Sequence, residues 1–414
     1  MNTASLRGGT GGAPAAGAGA GAPTAPRLLP SLTGLRAVAA LVIFLAHVNV
    51  FLPIPHTPQI LELGGVGVPY FFILSGFVLA WSFSDRDTAT WFYARRFSRI
   101  WPLMALCAVV ATFVMLEYST GVNRGETLWL GLSMALLINA WFQNGILNSP
   151  DPVSWPVSVE IFCYALFPFL VRPAVRRSLK PLLALAAFLV VLGWGIRVYL
   201  WARYPTWHML TPTAAARSVY GTMAPPARLH EFLLGVVAAV AVRKGWRSPL
   251  PAWMVGALLL CALTVLYLFH DASWRSNTLF DPLDPITAPL IALLITTIAA
   301  RDLDGRRSWL GSRPMVRLGN WSYAFFLFHF LVLYVVAKSV YHFNGMTDFY
   351  RHIQQRNSNI GWVALAFAIS VAVAGLAHEL YEHPIDQRLR RMFRRILNRP
   401  RHPVLPGREV PDTP

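Results

Sequence analysis

Ten stretches of this chain are apolar over a length close to that of a bilayer core, and that property leaves few folds open. They run 32–52, 66–83, 101–119, 155–171, 182–201, 228–242, 251–269, 284–300, 318–337 and 360–381. Hydrocarbon offers no partner to backbone N–H and C=O groups, so such segments are expected as helices of an all-α, polytopic membrane bundle. The chain is 55% hydrophobic and only 13% charged, outside the range of an ordinary soluble domain. Its net charge of +17 lies in short segments between apolar runs, a pattern that orients a membrane protein rather than binding nucleic acid.

Charge also decides the topology. Residues 127–142 (TLWLGLSMALLINAWF) are apolar but would reach only about 24 Å as a helix, less than a ~30 Å hydrocarbon core. If they do not cross, 26 basic residues fall on one side of the membrane and seven on the other. Letting them cross would carry the cluster from Arg172 to Lys180 outward. The expectation is about ten transmembrane helices of a cell membrane protein with both termini cytoplasmic. Residues 127–142 then form a re-entrant or interfacial element on the outer side.

Residues 1–30 are rich in Gly, Ala, Pro and Thr and have no signal-peptide pattern, so they are expected as a disordered cytoplasmic tail. Residues 31–385 form one membrane domain, and 386–414 a basic cytoplasmic tail. Cys107, Cys163 and Cys261 lie in apolar segments at spacings that fit no metal motif, and are expected as buried thiols with no metal site. Phosphate-loop, zinc-protease and serine-elbow motifs do not occur. The loops are too short for a second soluble domain, so the chemistry belongs inside the bundle.

The first apolar segment carries Arg36 and His47. Eleven helical residues turn about 20° past three full turns and rise about 16.5 Å, so both side chains share one face at different depths. Ionisable groups inside a membrane are costly and point to function. Arg36, one turn from the cytoplasmic side, can hold a phosphate or pantetheine carbonyl; His47 can act as a base or carry an acyl group. The cluster Arg95, Arg96 and Arg99 suits bidentate phosphate contacts beside its orienting role. Glu160, about five residues into the fourth segment, is expected near the depth of His47 and is the first candidate to orient it. Ser75, Glu231 and His329 are candidates for acceptor binding or structural support, with helix packing the first reading for Ser75. Glu379 and Glu382 are expected to pair with the basic tail.

These residues together resemble the acyltransferase-3 family of integral membrane O-acyltransferases. The likeness runs from Leu32-Thr-Gly-Leu-Arg36 and His47 through Phe71-Phe-Ile-Leu-Ser-Gly76, Arg95 to Pro102, Ser154 to Tyr164, Arg228 to Gly235 and Leu318 to His329, ending at Glu382-His-Pro384. It implies a ten-helix bundle taking acyl groups from cytoplasmic acyl-CoA as co-substrate, with no permanently bound cofactor and with Arg36 and His47 essential. Members often carry an acid where this chain has Pro69, which adds interest to Glu160. The wording from Ser31 to Arg36 and from Phe72 to Trp81 looks closest to the branch that acylates macrolides. The implied acceptor is a hydroxyl of a macrolide or related glycosylated secondary metabolite. Exopolysaccharide or lipid-linked sugar acylation is the alternative, and a membrane transporter the reading from another class. A transporter is expected to show inverted repeats with matching helix breaks, and none is visible.

Overall fold

The computed structural model describes residues 28–54, 59–85, 87–119, 123–203, 221–268, 283–343 and 358–397. Helix α1 (Pro30–Phe51) opens on a proline, where the missing N–H has no intrahelical partner to lose. A 3-10 segment (Gln59–Val66) leads into α2 (Gly67–Trp81). Thr88 caps α3 (Ala89–Tyr118), its hydroxyl accepting from the Trp91 N–H at 3.2 Å. After the short α4 (Arg124–Ala135) and α5 (Gln143–Leu147) come α6 (Trp155–Arg176), α7 (Leu179–Arg203) and α8 (Pro225–Arg243). The remaining crossings are α9 (Ala252–Leu268), α10 (Leu283–Leu303), α11 (Arg313–Tyr341) and α12 (Ile360–Leu376). Among the described residues nine helical stretches are long and apolar enough to span a bilayer; α9, at 17 residues, is shorter and completes the expected ten.

Residues 127–142 are not one helix. α4 ends at Ala135, Leu137 takes the left-handed conformation (φ 62°), and a 3-10 turn covers Asn139–Trp141. The 12 residues of α4 rise about 18 Å, too little to cross. α6 satisfies the broken backbone: the Ser158 hydroxyl donates to Leu137 O at 2.7 Å and accepts from the Ala140 N–H at 3.4 Å. Protein therefore shields this irregular segment, as a re-entrant element requires.

Small residues let the central helices touch. A Cβ on Gly76 of α2 would stand 2.0 Å from Phe232 O on α8, and one on Gly235 would stand 1.9 Å from Ile73 O. Any side chain at either position would force the pair apart. Gly319 brings α11 equally close to Thr33 O of α1, which fixes how the Arg36 and His47 helix meets α11.

The basic C-terminal segment is partly helical. A π-turn (Ala377–Glu382) joins α12 to α13 (His383–Leu397), so residue 385 falls inside a helix. α13 docks on α3, where the Ser98 hydroxyl donates to Asp386 Oδ1 at 2.8 Å and Phe97 meets Phe393. Residues 1–27 and 398–414 lie outside the described residues. Cys107 and Cys163 are buried, but Cys261 is exposed on α9, whose apolar outer face needs no cover in lipid.

Candidate active site

Four adjoining cavities run through the bundle, each sharing wall residues with the next. The first, about 190 Å³, is a mouth lined by Arg95, Arg96, Arg172 and Arg390. Leu79 and Arg96 also line the second, about 130 Å³, which contains Arg36, Ser75, Arg99, Glu160 and Tyr164. Arg36, Phe71, Glu160 and Tyr323 are common to that cavity and a narrow third one of about 70 Å³. Val68, Pro156 and Phe326 join the third to the largest, about 470 Å³, where His47 lies opposite Arg197, Arg228 and Asp284.

Arg36 and His47 thus line one route at two depths, as their spacing on α1 requires. Arg36 makes no hydrogen bond or ion pair to protein among the described residues, although Glu160 and Tyr70 are near enough to act on its charge. Glu160 accepts from the Tyr164 hydroxyl at 2.7 Å, and that hydroxyl meets the Ser75 hydroxyl at 2.7 Å. Ser75 is therefore part of a polar chain facing Arg36, beyond its place in a close helix crossing.

The expectation that Glu160 orients His47 is not met. Glu160 turns toward Arg36 and Tyr164, whereas His47 meets His329 of α11. Nδ1 of His329 lies 2.8 Å from Phe326 O and 3.1 Å from Phe325 O, so it carries the proton and Nε2 keeps a lone pair. That Nε2 is 3.3 Å from Nδ1 of His47, which is itself 2.9 Å from Ile43 O. A carbonyl can only accept, so in neutral His47 the proton sits on Nδ1 and Nε2 is left as the basic nitrogen. These tautomers follow from the hydrogen-bond network.

The three arginines of the α3 cluster separate. Arg95 pairs with Asp87 at the mouth. Arg96 lines both the mouth and the second cavity, and its buried Nε has no partner among the described residues. Arg99 forms an ion pair at 2.7 Å with Glu382, which the π-turn aims inward at 2% exposure. Glu379 accepts from Trp321 Nε1 at 3.0 Å and lies 3.7 Å from Arg317. Among the described residues neither acid pairs with the basic C-terminal segment; Asp386 does so instead, accepting from Arg390 Nε at 2.7 Å.

One group of residues was not anticipated as a unit. Asp284 of α10 accepts from both Arg197 of α7 and Arg228 of α8, the latter at 2.5 Å, and Arg228 also pairs with Glu231 at 2.8 Å. All four are buried, two cations against two carboxylates. Arg228 and Glu231 were visible at the start of the sixth apolar segment, but nothing local in the sequence links them to Arg197 and Asp284. The only signal was that each is ionisable and intramembrane.

Residues 29–379 match the family model described as "Acyltransferase domain". Acyltransferase MdmB of Streptomyces mycarofaciens is 33% identical over 86% of this chain and 91% of its own length. O-acetyltransferase OatA of Staphylococcus aureus (strain NCTC 8325 / PS 47) is 22% identical over 88% of this chain, which spans 58% of that relative. Peptidoglycan O-acetyltransferase OatA of Listeria monocytogenes is also 22% identical, over 87% of this chain and 56% of its own length. No solved structure matches. The match over most of the chain, together with the helical bundle, shows that this protein belongs to the acyltransferase domain family and is a multi-pass membrane acyltransferase.

Proposed function

We propose that the protein moves a short acyl group from acyl-CoA to a hydroxyl of a macrolide or related glycosylated secondary metabolite. The observation that carries this reading is the series of adjoining cavities between the arginine-lined mouth and His47. A thioester donor would leave its phosphates at the mouth and thread its arm past Arg36, whose planar guanidinium suits phosphate or carbonyl oxygens. The rise of about 16.5 Å from Arg36 to His47 calls for such an extended donor. The likeness to MdmB, closer than that to the peptidoglycan O-acetyltransferase, supports an acceptor other than peptidoglycan.

In this mechanism Nε2 of His47 takes the acceptor hydroxyl proton as the oxygen forms its bond to the thioester carbonyl carbon. Collapse of the adduct breaks the C–S bond, and the imidazolium returns its proton to the departing sulfur, giving ester and free CoA. His329 favours the imidazolium because its Nε2 lone pair faces the Nδ1–H of His47. Arg36 and the Glu160–Tyr164–Ser75 chain hold the donor arm, and the Asp284 cluster forms the polar wall of the acceptor cavity.

The direct test is to incubate membranes containing the protein with labelled acetyl-, propionyl- and isovaleryl-CoA and a panel of macrolides, lipid-linked sugars and polysaccharide. Label is expected in a macrolide with wild type and absent with His47→Ala. Label only in sugar or polysaccharide would move the acceptor to a glycan. More than a tenth of wild-type turnover in His47→Ala at normal expression would overturn the catalytic role of that residue.

A further inference from the structure

The mouth of the cavity series is built by more than the α3 cluster. Arg172 enters it from α6 and Arg390 from α13, beyond the residues matched to the family. Four arginines face one carboxylate there, Asp87, and Arg95 already pairs with it. Arg390 is held in place: its Nε donates to Asp386 Oδ1 at 2.7 Å, and that oxygen also accepts from Ser98 of α3 at 2.8 Å. Among the described residues this anchoring leaves both terminal nitrogens of Arg390 open to a second partner. Arg390 and Arg96 are close enough for their charges to oppose each other, and the buried Nε of Arg96 lacks an acceptor. A cavity with unbalanced positive charge and donors held in a fixed orientation is suited to a ligand bearing several phosphate oxygens.

We propose that Arg390 and Arg172 bind the phosphate groups of the nucleotide end of the donor, which makes the C-terminal helix a wall of the donor site. This rests on the acyl-CoA reading above. The same chemistry would suit the headgroup of an anionic lipid, because α13 also exposes Met392 and Ile396 beside its arginines. The position of this four-arginine mouth at the head of the cavity series that leads to His47 favours the soluble donor. Asp386 is a positioning residue that aims Arg390.

The full-length protein is reconstituted in neutral phosphatidylcholine vesicles, and in a second set containing phosphatidylglycerol. Turnover is measured with acyl-CoA, acyl-dephospho-CoA and acyl-pantetheine for wild type, Arg390→Gln, Arg390→Lys, Arg172→Gln and Asp386→Asn. Loss of one charge-assisted phosphate contact is expected to raise KM for acyl-CoA about tenfold in Arg390→Gln and Arg172→Gln, with kcat little changed. KM for acyl-pantetheine should stay as in wild type, Arg390→Lys should recover part of the effect, and Asp386→Asn should show a smaller one. An equal rise for acyl-pantetheine would assign both arginines to folding, and an effect seen only with phosphatidylglycerol would assign them to lipid; either overturns the proposal. Wild type active on acyl-CoA with unchanged KM in both variants would overturn this proposal alone. Wild type unable to use acyl-CoA, though active with another acyl donor, would overturn the donor reading and this proposal with it.

Discussion

Nε2 of His329 lies 3.3 Å from Nδ1 of His47, and the two rings meet edge to face with centroids 5.1 Å apart. Both are carried by long helices that Gly319 allows to pack closely, so neither ring depends on a loop for its position. A neutral histidine in place of a carboxylate favours the imidazolium more weakly, and the tautomer of His47 is fixed by the nearer Ile43 carbonyl at 2.9 Å.

His329→Ala is therefore expected to lower kcat by about tenfold to a hundredfold, part of what a general base contributes. His329→Gln retains an oxygen that can accept from His47 Nδ1–H, and should keep clearly more turnover than the alanine variant at similar expression. Steady-state kinetics on purified protein decide the point. Equal losses in the two variants would indicate that the ring matters for packing against Phe325 and Phe44 rather than for orienting His47.

Among the described residues Arg36 makes no hydrogen bond or ion pair in the cavity it lines. Arg36→Lys keeps the charge but loses the planar fork, and is expected to raise KM for the donor about tenfold or more. Glu160→Gln should act on the same parameter, since Glu160 lies on the Arg36 side of the route and not beside His47. If Glu160→Gln changed only the acid limb of the pH profile of kcat, a direct proton-relay role with His47 would have to be restored.

Hydropathy made the spans legible, since a bilayer accepts only helices that are apolar along their length. The shared face of Arg36 and His47 was legible too, because both lie on one helix with a known period. Depth alone misled the choice of partner for His47. Counting residues from the helix ends puts Glu160 near its level, but Glu160 lines the cavities of Arg36 and not that of His47, because such a count fixes neither where a span begins nor its rotation about the bundle axis. Gly319, rather than any acid, selects which helix meets α1 closely. The Asp284 cluster was illegible for a related reason: its four members come from three helices, and cross-helix contacts leave no periodic trace.

That cluster supports a prediction about stability. Asp284→Asn leaves Arg197 and Arg228 with Glu231 as the remaining buried carboxylate, and removal of one partner from such a pair typically costs about 3–5 kcal/mol. The variant should unfold at markedly lower temperature in detergent. Unchanged thermal stability with lost turnover would instead assign Asp284 to direct contact with the acceptor.

The broken segment between α4 and α5 supports a prediction about topology. With the three native cysteines replaced, cysteines introduced at Asn123 and Asn148, both exposed, should react with an impermeant thiol reagent from the outer side of intact cells. Labelling of the two sites from opposite sides would mean that the chain crosses between them and would reverse every later span.

The last prediction concerns Asp151, just before α6. Its carboxylate is fully buried; the Cys107 thiol, which also reaches Leu327 O, approaches Oδ2 at 3.6 Å, and Oδ1 has no partner. Burial pushes its pKa up to about 8 from an ordinary 3.8, with the thiol and a backbone N–H only partly opposing the shift. The folded protein then holds this proton over a range where the unfolded chain has released it, so stability falls as pH rises from about 4 to about 8. Asp151→Asn keeps an oxygen to accept from Cys107 and cannot ionise. Its melting temperature relative to wild type should increase steadily from pH 5 to pH 8, as the stability difference between the two grows by about a few kcal/mol at most. Scanning fluorimetry of both proteins in the same detergent across that range gives the answer, and a pH-independent difference between them would show that Asp151 does not titrate there.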